Sequence, residues 1–141
     1  MSYTVIKLDG EPIILTYIVG ELTPAIYFDI TLKAADLIEN VPGTIYRVTD
    51  VTRAQISLLN MIEMVVQVLK GWPGTVSDPR VVSLVVAGGG NAALAASHLA
   101  RIAPPSIRLR CFNCLDDALT FARADINADA TRQLRVRTQG A

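Results

Sequence analysis

Three strand-like runs, TIYRVTDV (44–51), VVSLVV (81–86) and IRLRCF (107–112), are each followed by a stretch with helical spacing. That alternation constrains the chain more than any other feature. Strands separated by helix-length connections run parallel, because a parallel pair needs a long crossover. Before the first of these runs come two more short ones, Tyr3 to Leu8 and Ile13 to Val19, separated by the turn-forming DGEP. They read as an antiparallel hairpin. Thr23-Pro24 then opens a helix with a good cap and a proline at the first position. Tyr27, Ile30, Ala34, Leu37 and Ile38 fall on its buried face, and Pro42-Gly43 ends it. The expected order is β-β-α-β-α-β-α-β-α, an α/β fold with a mixed, mostly parallel sheet.

A chain of 141 residues fits one domain. With 51% apolar and 18% charged residues it can build a sizeable core. The expected domain spans residues 1–125, with 126–141 as a flexible, mildly basic tail that includes Arg132, Arg135 and Arg137. Thirteen basic residues balance thirteen acidic ones, so nothing in the charge points to nucleic acid. No run reaches the roughly 18 unbroken apolar residues of a membrane helix. Two cysteines and no export signal at the start imply free thiols in a reducing cytoplasm.

The stretch SLVVAGGGNAALAASHLA (83–100) looks like the opening of a nucleotide site. Gly88, Gly90 and Ala93 fit the dinucleotide spacing, but several strands precede them. The next strand ends without the acidic residue that would hold a ribose. No Gly-Lys-Ser/Thr follows, so this is not a Walker loop, and no cofactor is expected. What survives is a strand-to-helix turn, Gly88, Gly89, Gly90 and a capping Asn91, at the carboxyl edge of the sheet. Asp50 and Thr52 share that edge, with either able to cap the following helix. A small anion or lipid headgroup there is the alternative to a plain turn.

Cys111-Phe112-Asn113-Cys114 has redox spacing, but at the last strand of the domain rather than near its start. Cys114 stands where a helix cap would stand, and a thiol enzyme is the least favoured reading. Two Cys and one His fall short of a metal set. His98 lies four residues from both Leu94 and Ile102, beside an expected buried stripe. Asp116 and Asp117 fit the first turn of the last helix. No catalytic constellation emerges, so the chain reads as non-enzymatic.

The helix expected from Thr52 to Lys70 has only a thin polar stripe, Arg53, Ser57, Asn60, Glu63, Gln67 and Lys70. The rest is apolar, more than one sheet face covers. Ile56, Leu59, Met61, Met64 and Val68 are therefore candidate interface residues, with a homodimer the expected partner and methionines suited to an adaptable contact. The alternative wedges the helix between sheet and neighbouring helix.

The hairpin with IYRVTDVT, then VVSLVVAGGG, then CFNCLDDALTFAR, together resemble small bacterial STAS-like proteins. These are fold relatives of anti-sigma factor antagonists and, more loosely, of CRAL-TRIO lipid-binding domains. The likeness spans roughly residues 3–123, with Phe112, Leu115, Asp116, Asp117, Ala118 and Leu119 filling its last segment. It implies regulatory or ligand-sensing work by binding. Phosphorylation-switched antagonists carry a D-S-S-G-L-like segment that is missing here, so the resemblance gives Thr52 no such role.

Overall fold

In a computed structural model, which describes residues 2–68, 70, 78–102 and 105–139 but not the side chains of 91, 92 and 137–139, the strand-like runs form one sheet. Its five strands lie in the order β1-β2-β3-β4-β5. β1 (Ser2–Lys7) and β2 (Ile13–Glu21) are antiparallel. The Leu8 amide closes their turn on the Ile13 carbonyl at 3.0 Å. Gly10 turns the chain at φ +71°, a region where a side chain would be strained. β3 (Ile45–Gln55), β4 (Val81–Val86) and β5 (Arg108–Phe112) then add in parallel.

Each parallel addition needs a crossover, and α1 (Pro24–Ile38), α2 (Leu58–Val68) and α3 (Gly90–Ile102) provide them. With a sequential strand order and right-handed crossovers, all three belong on one face. There Ala34 and Ile38 of α1 pack on Ile14 and Ile45, and Val68 packs on Leu99. α4 (Leu115–Gln139) follows the last strand, bridges nothing, and covers the other face. Its Ala118 and Ala122, both fully buried, sit against Tyr46, Val48 and Leu84. The sheet is thus covered by three helices on one side and one on the other. The expected α/β architecture and hairpin are present.

Local chemistry sets the helix starts. Thr23 accepts a hydrogen bond from the Ile26 amide at 3.4 Å, and Pro24 begins α1, as its sequence predicts. α2 differs from expectation. It starts at Leu58 rather than Thr52, and its cap is Ser57, whose hydroxyl accepts from the Asn60 amide at 3.2 Å. The preceding residues instead prolong β3 to Gln55, paired with β2 through Val19–Arg53, Gly20–Ala54 and Glu21–Gln55. β2 offers backbone groups that far along, and pairing with them satisfies more donors and acceptors than a helix end would. The step from Tyr17–Asp50 to Val19–Arg53 leaves one extra residue in β3, a bulge.

α4 also departs from expectation. The helix read as ending at Arg123 runs to Gln139, so residues 126–139 are helical, not frayed. No glycine or proline interrupts the chain from 124 to 139, and Asp129 pairs with Arg132 one turn on at 3.0 Å. Residues 131–136 are exposed. The stop expected at Gly71-Trp72-Pro73-Gly74, and the Pro104 half of the Pro104-Pro105 break, lie outside the described residues, as do residue 69 and the first half of the TVSDPR loop.

Candidate functional site

At the carboxyl edge, Asp50–Val86 is the last register pair of β3 with β4. Beyond it the strands part, and the glycines follow β4. The Asp50 carboxylate turns back on its own strand. It accepts from the Thr52 amide at 3.0 Å and from the Thr52 hydroxyl at 2.6 Å, pinning the bulge. Asp50 and Thr52 therefore do not cap α2. A Cβ on Gly88 would meet the Thr52 methyl at 4.0 Å, so these two residues adjoin. Gly89 (φ +147°) and Gly90 (φ +74°) hold backbone geometry that side chains rarely adopt. Asn91 lies inside the first turn of α3 instead of capping it, and its side chain is outside the described residues. The structure thus gathers Asp50, Thr52 and Gly88, and the Asp50 charge next to Thr52 weighs against an anion at the turn.

Cys111 lies inside β5, one residue before its end at Phe112, and Cys114 precedes α4 at its cap position; both are free thiols. Burial pushes the Cys111 thiol up, against the pull of a hydrogen bond from Ser97. A reactive thiol needs the opposite shift. Among the described residues no three His, Cys, Asp or Glu side chains come together as a metal site. His98 is exposed, because α3 buries a different face. Ala96 and Leu99 point inward, while Leu94 and Ile102, the expected buried markers, are more than half exposed.

α2 divides its apolar residues between two sides. Met64 and the preceding Ile56 pack with Ile18, Leu22 and Val51, and Val68 is buried on Leu99. Met61 also faces inward, toward the cavity described below. Of the five candidate interface residues only Leu59 is strongly exposed, at 66%. Its outward companions are Leu58, Ile62 and Val66, each more than half exposed. Spacings of three, four and seven place both sets on α2, the buried one on Met61, Met64, Val65 and Val68.

Between the sheet and the three-helix layer lies a partly open cavity of about 130 Å³. Met61, Met64 and Leu99 are among the apolar residues around it. The surface it presents is almost entirely apolar, with polar side chains buried beneath its floor. Arg47 and Ser83 are register partners on β3 and β4, and Thr49 follows on the same side. Arg47 is 4% exposed, with its guanidinium carbon 5.7 Å from the centre of the Tyr27 ring. Ser83 is 3% exposed, and its hydroxyl has no hydrogen-bond partner among the described residues. The Thr16 hydroxyl, beside Thr49 in the register, has none either.

Sequence reasoning missed this polar cluster. In YRVTD, Arg47 and Thr49 alternate with Tyr46 and Val48, which reads as a strand with one wet face. The signal was available in combination: a mostly parallel sheet carries helices on both faces, so the polar side of such a strand is covered too.

No family model matches the chain, and no curated protein sequence does. Solved structures do. One is an uncharacterized protein from the DUF3478 family with a SpoIIAA-like fold, from Shewanella loihica. It is 17% identical, with a TM-score of 0.57 over 86% of this chain and 92% of that one. Another is an anti-sigma factor antagonist from Mycobacterium paratuberculosis, 16% identical, with a TM-score of 0.55 over 86% and 95%. Sheet order, hairpin and helix placement together with these likenesses give the chain the SpoIIAA-like, STAS-type fold.

Proposed function

We propose that this chain is a non-catalytic regulatory domain that works by protein contact, and that its contact surface is the outer face of α2, used against a second copy of the chain. The observation that carries this reading is the row Leu58, Leu59, Ile62 and Val66, all exposed on one short helix. Adjacent exposed apolar side chains on a domain surface mark an association site. A two-fold contact would use the same helix twice. The balanced formal charge opposes no self-association. The fold likeness to an anti-sigma factor antagonist supports a regulatory role. The domain that does this comprises residues 1–125. Size exclusion with light scattering is the test. A mass that rises from monomer to dimer with concentration is expected, and a strictly monomeric species at high concentration would remove the proposal.

A further inference from the structure

The cavity under α2 and α3 offers almost no polar atom to an occupant. The Ser83 hydroxyl and the Arg47 Nε lie buried beneath it and are not reached from it. Protein interiors pack so closely that spaces larger than a water molecule are few. One of about 130 Å³ therefore calls for a reason. Water fills such a space poorly, because a buried water needs two or more polar partners. A dry cavity costs stability that rises with its volume. Two features of the sequence keep this one open. Ala95 and Ala96 on α3 stand in its wall, where larger aliphatic side chains would fill it. Met61 and Met64 on α2 face it with flexible thioethers, which adapt to an occupant.

We infer that this cavity binds a small uncharged aromatic molecule of single-ring size, held between the sheet and the helices α2 and α3 by apolar contact alone. The lining excludes charge, since an ion entering it would give up its hydration and find no partner. The volume sets the size, for it is close to the roughly 150 Å³ cavity that holds a benzene ring. A helix or loop of another protein is far too large, so the occupant is a small molecule. The preference for a ring over a chain comes from the two methionines and from Tyr27, which packs on the Val68 and Leu99 cluster in the same wall. Sulfur at a ring edge, and rings against one another, gain energy beyond the area they bury. The cavity is partly open, so a ligand has a way in. This site lies on the inner side of α2, and its occupancy does not depend on association through the outer side.

Titration of the ¹⁵N-labelled protein with toluene, followed by amide shifts, tests the inference. Saturable shifts are expected at Val65, Val85, Ala96 and Leu99, which line the cavity. Hexane should bind at least about threefold weaker than toluene, and benzoate at least about thirtyfold weaker. Toluene at ten times its dissociation constant should raise the melting temperature by about 4 °C, because it binds only the folded chain. Ala96→Leu, which fills the cavity from α3, should abolish the shifts in a protein that stays folded. Met64→Ala, which enlarges the cavity from α2, should improve naphthalene relative to toluene at least about fivefold. If Ala96→Leu fails to fold, the Met64 variant decides. No saturable shifts with toluene, hexane or benzoate binding as tightly as toluene, undiminished binding by folded Ala96→Leu, or no gain for naphthalene in Met64→Ala would each overturn the assignment.

Discussion

On the face that carries a single helix, two side chains fasten α4 to the strands. The buried Tyr46 hydroxyl donates to the Asp125 carboxylate. Burial, and then that carboxylate, push the Tyr46 phenol far above its ordinary range, so it stays a donor at every working pH. Tyr46→Phe should cost about 1.5–3 kcal/mol in urea unfolding, the usual worth of a hydrogen bond to a charged group. The second fastening is at the surface, where Arg123 reaches Glu11 in the hairpin turn through two bonds of 3.0 and 3.2 Å. The guanidinium holds the Glu11 carboxyl below its usual value. A depressed folded pKa gives stability that is present above the ordinary carboxylate range and lost as pH falls through the folded value. The pair is solvated, so the effect is small and salt-sensitive. Glu11→Gln should flatten the fall of melting temperature between neutral and acid pH, and added salt should remove the difference from wild type.

Among the elements, those with local signals were legible in sequence. Thr23-Pro24 marks α1, the turn DGEP marks the hairpin, and Asp116 and Asp117 mark the start of α4. What stayed hidden depends on neighbours. Thr52, Arg53 and Gln55 look like the start of a helix until β2 is seen to supply backbone partners as far as Glu21. The apolar excess of α2 was visible, but its division was not, because the helix phase follows from packing on Leu99 and Val51. The Arg-rich end of α4 reads as tail because its apolar residues are few, yet nothing in it breaks a helix. Its last turns are exposed and touch little of the core. Deleting residues 130–141 should therefore shift the melting temperature by less than about 4 °C, measured by circular dichroism. A larger loss would place the domain boundary beyond residue 125.

At the scale of the whole molecule, sequential parallel strands force three helices onto one face, and α2 on that crowded side has an inner and an outer apolar surface. α2 turns Met61 and Met64 toward an apolar cavity, and Leu59 and Ile62 toward solvent. The central claim is that the outer side joins two copies. Sedimentation equilibrium of the wild type beside a Leu59→Asp, Ile62→Asp double variant tests it most directly. Both positions are more than half exposed, so the variant should keep the wild-type circular dichroism spectrum. The account predicts a reversible dimer for the wild type and a monomer for the folded variant at the same concentration. A wild type that stays monomeric throughout, or a dimer that the two aspartates leave intact, would contradict it.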